Sequence, residues 1–266
     1  MLIVGERINT SRKMMRKAVG DWDADFIKND ALKQVNAGAA IVDVNCGTFV
    51  SDELERMKWL VETVQEVVDA PLSIDSPNPE ALKVGLGGHR NGRPLINSVT
   101  AETERMKKVI PLVVEYDALI IALCIGEGGM PTSIDDRLSN ASVLIEGLTS
   151  SGVPPEHIYV DPVVAPISTD GGNGNMVIET IGRIKKDFEE VQTICGLSNI
   201  SFGLPLRKLI NQNFLTMCIA AGLDAVIIDP LDSRMISNIY ASEALTGKDE
   251  FCMNYITASR EERLIA

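Results

Sequence analysis

Leu72-Ser73-Ile74-Asp75 is a short apolar run that ends in a carboxylate. The pattern recurs along the whole chain. Leu2-Ile3-Val4-Gly5 runs into Glu6-Arg7, Ile41-Val42 into Asp43 and Asn45, and Leu95-Ile96 into Asn97. Ile158-Tyr159-Val160 leads to Asp161, Cys195-Gly196-Leu197 to Ser198-Asn199, and Ala225-Val226-Ile227-Ile228 to Asp229. A strand that is apolar along its body and polar at its last residue is buried along its length and chemical at its tip. Repetition of that pattern at matching ends points to one polar face assembled from many strands, as a parallel barrel builds its site at the carboxyl ends of its strands.

The segments between these runs read as amphipathic helices. Met57, Leu60, Val61, Val64 and Val68 recur at helical spacing within a helix expected over about 51–69, with Ser51 as its cap. Asn78-Pro79-Glu80 supplies a cap, a first-turn proline and an acidic residue, which together start another helix. Further helices are expected over about 21–37, 100–116, 135–150, 176–190, 205–221 and 233–246. Eight strand–helix units predict an α/β protein with a single (β/α)8 TIM barrel. The length of 266 residues fits the roughly 250 typical of that fold. No Pro/Ser-rich linker or shift in composition divides the chain, so one domain over 1–266 is expected.

Composition excludes several classes. A net charge of −12 argues against nucleic acid as a partner. The longest apolar stretches, such as Leu119 to Ile125, are too short to span a bilayer. Cys46, Cys124, Cys195, Cys218 and Cys252 form no C-x-x-C pair and are odd in number, which fits a reduced protein. The chain opens on a strand, without a basic leader segment, and a cytoplasmic location is the expectation.

Gly85 to Gly88 follows helical sequence, where a C-cap is expected. Gly171 to Gly174 neither opens from a strand nor precedes Lys-Ser/Thr, so neither cluster has the context of a phosphate loop. Cys46 and Cys124 sit near strand tips, but only two histidines exist, and His157 lies before a strand, at the opposite end. Small buried cysteines account for them better than a zinc site, which needs three well-placed ligands; no metal is expected.

A single Asp after a strand commonly caps a helix or turn. That explanation fits Asp43, Asp161 or Asp229 taken alone, and fits poorly for all of them together with Asp75, Asn97 and Asn199. Carboxylates with amides, and no histidine, suit a flat, nitrogen-rich heterocycle. A carboxylate accepts two parallel N–H bonds from an amino-pyrimidinone edge, and Asn offers both a donor and an acceptor.

With these residues in place, the chain resembles the pterin-binding barrel methyltransferases, namely the methyltetrahydrofolate:corrinoid protein methyltransferases and the folate domain of cobalamin-dependent methionine synthase. The resemblance rests on Gly5-Glu6-Arg7-Ile8-Asn9, Asp43-Val44-Asn45, Ser73-Ile74-Asp75-Ser76, Ile96-Asn97-Ser98, Tyr159-Val160-Asp161-Pro162, Gly196-Leu197-Ser198-Asn199 and Leu209-Ile210-Asn211, in order along nearly the whole chain. It implies methyl transfer between N5 of tetrahydrofolate and the cobalt of a corrinoid carried by a partner protein, in a direction left open, and a homodimer. By the same resemblance, Asp75, Asn97 and Asp161 hold the pterin. Asn199 hydrogen-bonds N5 and is the catalytic residue. Asp43, Asn45 and Glu6 complete the substrate-binding set, and Arg207 is a mobile side chain over the pocket. Phe202 departs from the pattern, standing where a family member carries a glutamine. Dihydropteroate synthase shares the pterin-barrel pattern, but its Ser-Arg-Lys after the seventh strand and its carboxyl-terminal Arg-x-His are replaced here by Ser198-Asn199-Ile200 and by no histidine. A non-catalytic folate-binding subunit is the other alternative.

Overall fold

The computed structural model describes residues 1–265. Eight parallel strands close into a barrel in sequence order, with β8 pairing back onto β1. They are β1 (Leu2–Asn9), β2 (Ile41–Asn45), β3 (Leu72–Asp75), β4 (Leu95–Thr100), β5 (Leu119–Leu123), β6 (Ile158–Asp161), β7 (Gln192–Gly196) and β8 (Ala225–Ile228). The expected (β/α)8 fold is therefore present.

The outer ring consists of α1 (Lys13–Gly20), α2 (Ala24–Asn36), α3 (Glu53–Gln65), α4 (Pro79–Gly88), α5 (Thr103–Glu115), α6 (Ile134–Ser150), α7 (Asn173–Asp187), α8 (Arg207–Ala220), α9 (Ser233–Leu245) and α10 (Met253–Arg260). Local chemistry sets several of their starts. Asn78 Oδ1 accepts from the Glu80 N–H at 3.1 Å, with Pro79 in the first turn. Ser133 and Asp136 form a reciprocal capping box at the start of α6.

Some boundaries differ from the sequence expectation. Ser51 does not cap α3; the N-cap is Asp52, whose carboxylate is taken by the Arg56 Nε–H at 2.6 Å instead of the free backbone N–H groups. Gly85 to Gly88 form the last turn of α4 itself. A Cβ on Gly85 would lie 2.6 Å from Ile74 Cγ2, so the missing side chain lets α4 approach β3. The seventh strand stops at Gly196, and Leu197–Ser201 winds into a 3-10 turn.

Side chains alternate in and out along each strand. Val4, Ile41, Leu95, Ile121, Ile194, Ala225 and Ile227 meet inside the barrel and fill its lower lumen. Counting on by two from those positions gives Glu6, Asp43, Asn45, Asn97 and Asp229 on the same inward face, and counting on from Tyr159, which packs against the lumen cluster, gives Asp161. The outward-facing residues pack under the helices in two larger apolar shells. The lumen is thus an apolar plug with a polar layer above it, at the carboxyl ends of the strands.

Candidate active site

Strand register assembles the centre of the polar layer. Asn45 on β2 is paired in register with Asp75 on β3, and Asp75 with Asn97 on β4. Asn45 Nδ2 donates to Asp75 Oδ2 at 2.8 Å, while Asn45 Oδ1 accepts from the Gly47 N–H at 3.0 Å. The Asn45 amide is therefore locked from both ends, and it fixes the Asp75 carboxylate. Burial pushes the Asp75 carboxyl up to about 6, against the lowering effects of the Asn45 bond and the Arg105 charge.

Asp43 lies on the layer beneath. It is only 2% exposed. Its Oδ1 accepts from Ser73 Oγ at 2.6 Å and from Asn97 Nδ2 at 3.3 Å. Burial, with the Asp75 charge second, holds its carboxyl well above the usual carboxylate range.

Asp161 ends β6 across the mouth and is 7% exposed. Its Oδ1 accepts from the Val163 N–H at 2.8 Å, and the Gly196 N–H also favours its charged form. Burial nevertheless dominates and raises its carboxyl to about 6. The Val163 N–H is aimed by a left-handed backbone, φ 66°, which a β-branched residue rarely adopts. Such outliers persist where surrounding structure over-determines them, and they cluster at functional sites.

Asn199 sits in the 3-10 turn rather than at a strand tip, and its side chain is exposed. Among the described residues, none hydrogen-bonds the Asn199 amide. The turn is braced by Arg207, whose Nε donates to Ser201 Oγ at 3.0 Å and whose Nη2 donates to the Ser198 carbonyl at 2.6 Å. Arg207 thus lies against the turn that carries Asn199. Phe202 follows the turn and is 65% exposed.

Glu6 projects from β1 on the same side of the mouth as the Asn199 turn and lines one cavity with Ser198. Burial, with the Asp229 charge second, raises its carboxyl to about 7, although Arg12 and Arg207 act the other way. Glu6, Arg7, Ser198, Asn211, Asp229 and Asp232 line a cavity of about 320 Å³ at this edge. Asn211 Oδ1 in its wall is buried without a hydrogen-bond partner.

Several supporting groups carry no strand-tip signal. Arg105, in the first turn of α5, donates to the Ser76 carbonyl at 3.0 Å, to the Ser98 carbonyl at 2.7 Å and to the Pro77 carbonyl, tying the β3 and β4 loops together. Glu53 accepts from Ser76 Oγ at 2.6 Å and from Asn78 Nδ2 at 3.1 Å. Arg7 donates to Asp30 and, at 2.8 Å, to Asp229. Ser73 and Arg7 were readable in advance, since Ser73 sits two residues before Asp75 on the inward face and Arg7 closes the apolar run of β1.

Cys46 and Cys124 are buried, and burial pushes the Cys46 thiol up to about 12 and the Cys124 thiol higher still. Among the described residues, no three His, Cys, Asp or Glu side chains gather as a metal-ligand group. No helix among them is long and apolar enough to cross a membrane.

Comparisons with known proteins agree with this geometry. A model of the family described as pterin binding enzyme matches residues 5–229. The chain is 35% identical over 266 residues to the methylcorrinoid:tetrahydrofolate methyltransferase of Eubacterium limosum, covering 99% of this chain and 98% of that protein. It is 34% identical over 242 residues to the methionine synthase of Mycobacterium leprae (strain TN), covering 86% of this chain and 20% of that much longer protein. Among solved structures, dihydropteroate synthase from Xanthomonas albilineans in complex with 7,8-dihydropteroate superposes with a TM-score of 0.68 at 15% identity, over 92% of each chain. Yersinia pestis dihydropteroate synthase with a pterine-sulfa conjugate gives 0.66 at 14% identity, over 92% of this chain and 94% of that one. At such identities the structural likeness speaks for the fold alone. Barrel, polar layer and family match coincide over the same residues, and the chain belongs to the pterin-binding enzyme family.

Proposed function

We propose that this chain is a methyltransferase that moves a methyl group between the cobalt of a corrinoid, carried by a partner protein, and N5 of tetrahydrofolate. The observation that carries this reading is the pair of buried carboxylates, Asp75 and Asp161, facing one mouth with Asn97 between them in the strand order. Asp161 has only backbone N–H donors and no cation. A ligand edge with two adjacent N–H groups, such as the 2-amino and N3–H of a pterin, supplies what it lacks. The names of the relatives, and the full-length coverage of the Eubacterium limosum protein, support the methyl-transfer chemistry.

The finer proposal concerns direction. The relative matched over 98% of its length is a methylcorrinoid:tetrahydrofolate methyltransferase, which supports transfer toward folate. In that direction the N5 lone pair attacks the methyl carbon and the carbon–cobalt bond breaks. Cobalt keeps the bonding electron pair and falls from Co(III) to Co(I). N5 passes through a protonated, quaternised state before its proton leaves to water. The reverse direction needs the same protonated N5 as leaving group. In this proposal Asn199, whose amide is unengaged on an exposed turn, accepts from N5–H through Oδ1 and so favours the transition state over the ground state. The rest of the task is alignment of two large substrates. Asp75, Asn97 and Asp161 fix the ring, with Asn45, Glu6 and Asp43 around them and Arg207 beside the Asn199 turn. The mouth, flanked by the 126–134 and 166–175 loops, is the proposed docking face for the corrinoid protein. A homodimer of single-domain chains completes the proposal.

A dihydropteroate synthase activity fits less well. Arg7 is already paired with Asp30 and Asp229, and Arg12 also reaches Asp229 at 3.4 Å, so the β1 and β8 tips are occupied by internal ion pairs rather than open to a diphosphate. Calorimetry with tetrahydrofolate, followed by a methyl-transfer assay with free methylcobalamin, tests the proposal. Binding without transfer identifies a folate-binding subunit, and no binding refutes the pterin site.

A further inference from the structure

Asp43 is well placed to act on the ligand without touching it. It is sealed below the mouth, and its Oδ1 takes two donors, Ser73 Oγ and Asn97 Nδ2. A neutral Asp43 carries its proton on the other oxygen, so Oδ1 is an acceptor in either charge state. An acceptor below Asn97 demands the nitrogen of its amide there. The planar amide then turns Asn97 Oδ1 away from Asp43. Among the described residues nothing donates to that oxygen, and it is not sealed from solvent. Asn97 is half-buried at the level of Asp75, where the ring edge is proposed to lie.

We propose that Asp43 is a positioning residue that locks the Asn97 amide with its oxygen toward the ligand, and that this lock selects reduced pterins over fully oxidised ones. The inference rests on the pterin reading above. In tetrahydro- and 7,8-dihydropterins N8 carries a hydrogen and donates. In the aromatic, oxidised ring N8 carries a lone pair and only accepts. A fixed carbonyl oxygen opposite N8 matches the first and opposes the second. An Asn free to rotate would satisfy both by exchanging its oxygen for its nitrogen, and discrimination would be lost. Ser73 strengthens the lock by holding the Asp43 oxygen in place.

The test is calorimetric binding of tetrahydrofolate, 7,8-dihydrofolate and folic acid to four proteins: the parent, Asp43→Asn, Asp43→Leu and Asp43→Ser. The parent is expected to bind both reduced forms about tenfold or more tighter than folic acid, the size of one hydrogen bond exchanged for an unpaired polar contact. Asp43→Asn keeps an oxygen that can accept both bonds, so the ratio is retained. Asp43→Leu removes the acceptor at similar volume and should bring the ratio close to one, with folic acid binding unchanged or tighter. Asp43→Ser retracts the acceptor and serves if the leucine variant does not fold. A purely structural role would weaken all three ligands together and leave the ratio intact, which overturns the inference. A parent that binds folic acid as tightly as the reduced forms overturns it too, while leaving the pterin site standing. A parent that binds none of the three removes both readings.

Discussion

Asp161→Asn should make the ligand-free protein more stable and a poorer folate binder, and the gain should depend on pH. Asp161 is buried against backbone N–H groups with no cation beside it. Its carboxyl is raised from 3.8 to about 6, so between those values the native state holds a proton that the unfolded chain has released. The unfolded state then binds fewer protons, and stability falls as pH rises through this window. Below about 3.8 the penalty is absent; above about 6 it is fully present. At about 1.4 kcal/mol for each pH unit, the rise amounts to about 3 kcal/mol. An Asn whose Nδ2 faces the Gly196 N–H loses one bond, about 1 kcal/mol, which leaves a net gain of about 2 kcal/mol above pH 7. Urea denaturation of parent and variant at pH 4.5 and pH 8 measures it. The variant should gain on the parent at pH 8 and match it, or fall slightly below, at pH 4.5, while its tetrahydrofolate affinity drops at pH 8. An equal stability difference at both pH values would refute the account of Asp161 as a buried charge held for the ligand.

Asn199→Ala should lower kcat on the order of 10²-fold or more, with a smaller effect on folate binding, since its bond is expected to strengthen as N5 gains a proton; a variant with near-parental kcat and a raised KM makes Asn199 a binding residue only. Asp75→Ala should instead cost about 2–3 kcal/mol of tetrahydrofolate affinity by calorimetry. Methyl transfer should survive EDTA and thiol-directed chelators, and activity restored by added zinc after chelation would bring Cys46 and Cys124 back as ligands. Gly5→Val should lower stability in thermal melts, because a Cβ there would lie 2.3 Å from Gln34 Oε1, displacing the acceptor of the Arg7 N–H, and 3.2 Å from Ala39 Cβ.

The barrel and its central site were legible because the signal that builds one builds the other. Strand alternation places Asp75, Asn97 and Asp161 inward by the same count that buries Ile121 and Ile194, so a polar residue closing an apolar run is both a strand end and a candidate site residue. The turn around Asn199 was not legible as a turn. Leu197 and Ile200 are apolar and buried, and a short apolar run does not distinguish a strand from a helical turn. The helix α1 was hidden in a basic segment, since Lys13, Arg16 and Lys17 face water and only Met15, Ala18 and Val19 are buried. Arg105 and Glu53 act from helix starts onto neighbouring loops, and nothing in their own sequence context announces Asn78 as a partner 25 residues from Glu53 or Ser76 as one 29 residues from Arg105. The neighbours of Asp43 show a further limit: sequence placed it among the inward-facing polar residues, but its bonds from Ser73 and Asn97 are visible only in the structure.

The ion pair joining Arg7 to Asp229 also bears on how the protein folds. Each strand–helix unit forms from near neighbours along the chain, so most of the barrel can grow locally. The seam between β1 and β8 cannot, because Arg7 and Asp229 are 222 residues apart. Closing so long a loop is entropically costly and slow, and contacts of that span form late. Until they form, β1 and β8 each expose an unpaired edge that can recruit another chain. A clasp at the carboxyl end of that seam, joined to Asp30 from α2, therefore favours the closed barrel, in which neither edge is exposed.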